Sequence, residues 1–264
     1  MPTPTPLFDA SLEPSGLTDG DVGQLVHFGV RAGLASSPEG PRPGDGAELV
    51  ARWEALLDRE LPRLERLGVT AFALLGAAPD ALPARGFPSA LHALAQLLGR
   101  RRAVAVGPVS LGSGDPALEH AFLRQLEVAQ EVNRPLVARL GGASPRAALT
   151  RLFDVLEEGG ADPSRVLILG AGRTAFRLLR ERGYAVALRP LSHRLTAAAA
   201  ADLVNRHGSE GVLLASGAGS GHADLLAVPK MAAALEERGL PPSVARRVGF
   251  QNAAAFFRFD PAAM

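Results

Sequence analysis

Short apolar runs alternate with longer helical patterns along the whole chain, and this alternation constrains the fold more than any other feature. Eight such runs occur, and each is followed by a segment whose apolar residues recur at helical spacing. The runs are LFDA, VRAGLA, VTAFALLGA, AVAVG, PLVARL, RVLILG, YAVALRP and GVLLAS. A strand followed by a helix, repeated in this way, is typical of parallel sheets whose crossovers are helices.

Several of the predicted helices carry clear start signals. Thr18, Asp45 and Thr196 stand where an N-cap oxygen is needed, and Asp115 is followed by Pro116 at the first helical position. The helix after Asp45 extends to about Gly68, and we expect a kink or break at its proline, Pro62.

Eight units in 264 residues, without a linker or a break in composition, predict a single domain over residues 1–264 with the α/β (β/α)8 TIM-barrel fold. The main alternative is an open, doubly wound sheet with a dinucleotide site. Its best support is LGAGRTAFRLL, at 169–179, which has Gly-x-Gly after a strand but lacks the third glycine of that motif. We interpret the stretch instead as a tight strand–helix turn.

The composition excludes several classes of partner. The formal net charge is +1, so no global attraction to nucleic acid or to a membrane surface is expected. The chain has 0 cysteines, which excludes disulfides and thiolate metal sites. The first residues lack a signal-peptide pattern, and no apolar run is long enough to span a membrane. A cytoplasmic location is therefore expected.

Function in a barrel is found where the strands end at their carboxyl side. The polar candidates at these predicted ends include Asp9, Glu13, Arg139 and Arg189, and Arg173 follows just beyond the sixth strand. All of these except Arg189 have a structural alternative. Asp9 can end its strand by accepting bonds from backbone amides, Glu13 can pair with Arg139, and Arg173 can point to solvent from its helix.

Four stretches carry a resemblance to a known family: GLTDGDVGQLVHFGV, FLRQLEVAQEVNRPLVAR, VLLASGAGSGHADLLAVPK and VGFQNAAAFFRF. The chain resembles the TatD-like metal-dependent hydrolases of the amidohydrolase superfamily, and in particular a prokaryotic branch of barrel hydrolases. The stretches extend from the first strand to the last helix. The resemblance implies one or two divalent metals that activate a water for attack on a phosphoester or amide-like bond.

The metal ligands that the resemblance implies are missing from most of their positions. The six ligand positions of the family are histidines at Ser11, Glu13, Arg139 and Gly170, a glutamate at Pro108 and an aspartate at Gly217. A further histidine of the family, in a Gly-x-His-Pro stretch after the third strand, corresponds to Ala78. Of these residues only Glu13 can bind a metal, whereas a zinc site needs three or four ligands. We therefore expect no metal and no other cofactor.

Two functions remain open at this point. The first is a pseudoenzyme that binds a small anionic molecule or a protein partner at an arginine-lined mouth; the second is a hydrolase with a non-standard site. The candidate catalytic residues are Asp9, Glu13 and His222, and the candidate ligand-binding residues are Ser11, Arg139, Arg189, His193, Ser216, Gly217 and Gly219. The sequence leaves the ligand and the oligomeric state undetermined.

Overall fold

Eight parallel strands form one sheet in the order of the sequence, β1 to β8. The computed structural model describes residues 6–37, 40–112, 115–140, 145–190, 195–221 and 223–260. The strands are β1 Leu7–Leu12, β2 Val30–Ser36, β3 Thr70–Leu75, β4 Ala103–Val109, β5 Leu136–Arg139, β6 Val166–Leu169, β7 Ala185–Leu188 and β8 Val212–Leu214. A parallel bridge between Leu12 and Ala218 joins the first strand to the segment after the last. The predicted (β/α)8 barrel is confirmed, and the doubly wound alternative is wrong.

Helices follow the strands along the chain. They are α1 Asp19–His27, α2 Gly46–Ala55, α3 Leu61–Arg66, α4 Phe87–Leu97, α5 Pro116–Glu131, α6 Pro145–Glu158, α7 Arg173–Glu181, α8 Ala197–His207, α9 Ala227–Glu237, α10 Pro242–Arg246 and α11 Asn252–Phe257. No helix in the described part of the chain is long and apolar enough to cross a membrane.

The predicted helix starts are confirmed. The Thr18 and Asp21 side chains form a capping box, and Asp45, Asp115 and Thr196 each accept a bond from a first-turn amide. Between α2 and α3 the chain stays helical, but Leu56–Glu60 widens into a π turn. The irregularity thus lies just before Pro62, whose nitrogen carries no hydrogen for the preceding turn.

Two hydrophobic cores lie on the two faces of the sheet. The larger one packs the outward side chains of the strands against the helices. The smaller one fills the barrel interior and includes residues of the last helical segment, such as Phe250 and Phe257. The Phe8 ring lies 6.3 Å from each of those two rings, near the start of β1. This aromatic cluster closes the amino ends of the strands, so that the carboxyl ends form the mouth.

Candidate functional site

Asp9 lies at the seam where β1 meets β8. The pairing of β1 with β2 shifts register between Asp9 and Leu12, so the backbone there departs from a regular ladder. The Oδ1 atom of Asp9 accepts bonds of 3.0 Å from the amides of Ser11 and Ser216. The carboxylate therefore supplies the acceptor that the interrupted ladder lacks. Asp9 therefore accepts bonds from backbone amides, as its structural role at a strand end predicts.

Burial controls the protonation of this carboxyl group. Asp9 is 0% exposed, and desolvation raises its pKa from 3.8 to about 6. Bonds from the side chain and amide of Ser216, the amide of Ser11 and the charge of Arg189 oppose this rise. A carboxyl group with such a pKa changes protonation state just below neutral pH.

Ser216 links the seam to the loop that follows β8. Its hydroxyl donates to Oδ2 of Asp9 over 2.5 Å, and accepts a 2.8 Å bond from the amide of Ala218. The side chain is 0% exposed. The Ser216 hydroxyl thus acts both as a donor and as an acceptor, and these two bonds stabilise the loop.

Arg189 crosses from β7 to the same loop. Its Nε donates to the carbonyl of Ser216 over 3.2 Å, and its Nη2 donates to Oγ of Ser220 over 2.8 Å. The Ser220 hydroxyl donates in turn to the carbonyl of Gly217 over 2.7 Å. Sequence reasoning missed Ser220, although it lies in the glycine-rich stretch SGAGSG that marks this loop.

The guanidinium of Arg189 lies against Gly217. A Cβ atom added to Gly217 would meet Cζ of Arg189 at 2.2 Å and Nη2 at 2.1 Å. The cationic group therefore fills the space into which any side chain at position 217 would project. The resemblance places a metal-binding aspartate at this position, so the local charge is the reverse of what a divalent metal requires.

Gly219 brings the loops after β1 and β8 into contact. Its φ is +96°, and an added Cβ would lie 2.0 Å from the carbonyl oxygen of Glu13. An added Cβ on Gly16 would lie 2.0 Å from the carbonyl oxygen of Gly219. The amide of Glu13 also donates to the carbonyl of Ala218 over 2.8 Å. Only glycine allows so close an approach on both sides of the seam.

Arg139 stands at the same edge of the barrel, on β5. Side chains alternate along a strand, so Arg139 shares the inward face with Val137, which belongs to the interior core. By the same rule Arg189 shares the inward face with Ala187. Both arginines are half-buried, whereas Arg173, the first residue of α7, is exposed.

The carboxyl end of β3 is held by buried polar side chains of two helices, α2 and α5. The side chain of Gln125 in α5 accepts from the amide of Ala77 over 2.7 Å and donates to its carbonyl over 3.0 Å. The indole of Trp53 donates to the carbonyl of Gly76 over 3.1 Å. These bonds fix the path of the chain after β3, and neither was indicated by the sequence pattern.

The predicted site residues are only partly brought together. The described contacts join Asp9, Ser11, Ser216, Gly217 and Arg189 in one network, since the carbonyl of Ser11 also accepts the amide of Gly217 over 2.9 Å. Glu13, 5% exposed, meets Gly219 beside this network. His193 and His222 lie outside the described residues.

The side chains at these positions do not fit the divalent metal that the fold family implies. Within the described residues, no three His, Cys, Asp or Glu side chains are grouped so as to hold a metal ion. The carboxylate of Asp9 already accepts the amides of Ser11 and Ser216, and the guanidinium of Arg189 lies against Gly217. Glu13 is the remaining carboxylate among the candidates, and one carboxylate does not make a metal site.

Comparisons with known proteins give the class of fold. The structure is similar to that of a TatD-like protein of Archaeoglobus fulgidus, with a TM-score of 0.79 and 21% identity over 96% of this chain and 100% of that one. A phosphotriesterase homology protein of Escherichia coli, complexed with phosphate in its active site, aligns with a TM-score of 0.71 and 14% identity over 97% of this chain and 99% of that one.

A relative is also found by sequence. A protein of Methanocaldococcus jannaschii named as an uncharacterized metal-dependent hydrolase is 23% identical over 206 residues, which cover 78% of this chain and 81% of the relative. No family model matches the chain. The chain has the barrel fold of TatD-like proteins and of amidohydrolase-fold enzymes, and the resemblance seen in its sequence is confirmed. At these identities the likeness defines the fold, and the chemistry must be argued from the residues.

Proposed function

We propose that this protein binds a small anionic molecule at the mouth of the barrel and does not catalyse metal-dependent hydrolysis. The observation that carries the proposal is the guanidinium of Arg189 lying against Gly217. A fixed cation at this point repels a divalent metal and attracts an anion. The hydrogen bonds from Arg189 to Ser216 and Ser220 hold that cation in place.

A second arginine supports an anion rather than a cation at the mouth. Arg139 pairs in register with Leu169 of β6, and Leu169 pairs with Ala187 of β7. Arg139 is therefore level with Ala187, two strands away, and Arg189 lies two residues further along, so that the backbones of the two arginines are about 12 Å apart at the usual strand spacing and rise. Two arginine side chains that face inward across this distance are long enough to converge on one phosphate or carboxylate group.

Phosphate is the natural first probe. The phosphotriesterase homology protein of similar fold is complexed with phosphate in its active site. Guanidinium groups bind phosphate and carboxylate oxygens through paired N–H donors, and such charge-assisted bonds are about twice as strong as neutral ones. The carboxyl ends of barrel strands are also where this fold places its ligands.

Removal of either arginine is expected to weaken anion binding about tenfold or more. Phosphate, sulfate and small carboxylates are titrated into the natural protein, Arg139→Ala and Arg189→Ala by calorimetry and thermal shift. Arg66→Ala is the matched control, because Arg66 is an exposed residue at the end of α3, shortly before β3 begins, and so lies away from the carboxyl ends of the strands. The proposal is wrong if no anion stabilises the natural protein at millimolar concentration, or if both mouth variants bind as well as it does.

Purified, tag-free protein is expected to contain less than one equivalent of zinc, manganese or nickel. Its phosphodiesterase activity on generic substrates is expected to remain at background when these metals are added, because the mapped positions lack a ligand set. Elemental analysis and a chromogenic assay make the measurements. One or more metal equivalents that are lost in Glu13→Ala would instead favour the alternative, a hydrolase with a non-standard site.

A further inference from the structure

A second basic site lies on the opposite face of the barrel, at the amino ends of β4, β5 and β6. A cleft of about 430 Å³ opens there between the end of α4 and the last helix, α11. Its lining includes three arginines, Arg134, Arg165 and Arg258, together with Val104 and Phe256. None of the described residues that line it is acidic.

Two of these arginines are held by backbone groups. Arg134, just before β5, donates from Nε and Nη2 to the carbonyl of Leu98 over 3.3 and 3.1 Å. Arg165, just before β6, donates from Nη2 to the carbonyl of Asn133 over 2.7 Å and to its side-chain oxygen over 3.1 Å. Both guanidinium groups are thus held by neutral oxygen acceptors, which do not cancel their positive charges.

The third arginine of the cleft lies directly after the last helix, α11. Arg258 follows α11 in a left-handed conformation with φ of +56° and is exposed. Burial lowers the pKa of Arg165, and so does the positive charge of Arg258 and of Arg134, while Asp162 opposes them. Like charges are therefore close enough to repel one another. The carboxylate of Asp162 caps the short turn Pro163–Arg165, where it accepts two hydrogen bonds from Ser164.

We propose that this cleft binds a small organic phosphate, with the phosphate on the arginines and the apolar part against Phe256 and Val104. The lining combines cationic donors on one side with aromatic and aliphatic side chains on the other. Arginine clusters bind phosphate through several N–H donors at once. The half-buried Phe256 ring offers a surface on which an apolar group can pack.

The test uses phenyl phosphate and inorganic phosphate as probes, titrated by calorimetry. Phenyl phosphate is expected to bind the natural protein more tightly than inorganic phosphate does. Arg258→Asn is expected to weaken phenyl phosphate binding about tenfold or more. This variant breaks no described hydrogen bond, and asparagine tolerates a positive φ. Arg165→Gln is expected to act in the same direction, and Phe256→Ala is expected to remove the preference for the phenyl group.

The mouth variant Arg139→Ala separates this site from the proposed anion site at the mouth. Binding of phenyl phosphate that persists in Arg139→Ala and is weakened in Arg258→Asn supports the cleft, whether or not the mouth binds anions. Binding that is lost in Arg139→Ala and retained in Arg258→Asn overturns the inference. So does the absence of phenyl phosphate binding at millimolar concentration, or equal affinity of the Arg258→Asn variant and the natural protein.

Discussion

Substitution of Gly219 by alanine is expected to lower the free energy of unfolding by about 4 kcal/mol. A methyl group there would lie 2.0 Å from the carbonyl oxygen of Glu13, and the φ of +96° is unfavourable for any residue with a Cβ. The neighbouring atoms belong to the backbone, so relief requires the loops after β1 and β8 to move apart. Urea unfolding, followed by circular dichroism, measures the change.

Gly221→Ala is the matched control for this effect. Gly221 lies in the same loop, its added Cβ would meet no heavy atom within 4 Å, and its φ is not in the positive region. We expect its stability to remain within about 0.5 kcal/mol of that of the natural protein. Equal stability of the Gly219→Ala and Gly221→Ala variants would show that the two loops are not in the close contact described here.

The fold was predictable from the sequence because its signals are local. Apolar periodicity defines each strand and helix, and N-cap side chains such as Thr18 and Asp115 act within three residues of their own position. Because consecutive strand–helix units are usually neighbours in space and their crossovers are right-handed, eight similar units in a row can adopt only a few topologies. The exact strand ends were less predictable, because they depend on which backbone groups find partners in neighbouring strands.

The site was predictable only in outline. The glycine-rich stretch after β8 indicated a close approach, but not that the guanidinium of Arg189 would fill the space beside Gly217. The path of a long side chain between two loops is decided by tertiary contacts. The role of Asp9 also depends on contacts distant in sequence, since the amide of Ser216 is 207 residues away along the chain. His193 and His222 remain predictions.

Replacement of Asp9 by asparagine is expected to remove a pH dependence of stability. The pKa of Asp9 is about 6 in the folded protein, above its usual 3.8. The folded state therefore keeps this proton to higher pH than the unfolded state does. The stabilisation is complete below the unfolded pKa and is lost as pH rises through the folded one, at about 1.4 kcal/mol per pH unit.

Asparagine is a suitable replacement because it resembles the protonated carboxyl group. Its oxygen can accept the amides of Ser11 and Ser216, while its NH₂ group donates to the hydroxyl of Ser216. That hydroxyl can then turn toward the carbonyl of Ser11, 3.5 Å away. From pH 4 to pH 7 the stability of Asp9→Asn is thus expected to rise by about 2.4 kcal/mol relative to that of the natural protein.

Urea unfolding of both proteins at pH 4, 5, 6 and 7 gives this difference, in which the titration of all other groups cancels. Ser216→Ala provides an internal check. The Ser216 hydroxyl bond is the strongest of the effects that lower the pKa of Asp9, so its removal should extend the loss of stability to higher pH. A constant difference between the natural protein and Asp9→Asn would mean that the carboxyl group titrates as it does in water. The seam between β1 and β8 would then be hydrated rather than sealed, and the account of Asp9 as the buried acceptor of the interrupted ladder would be wrong.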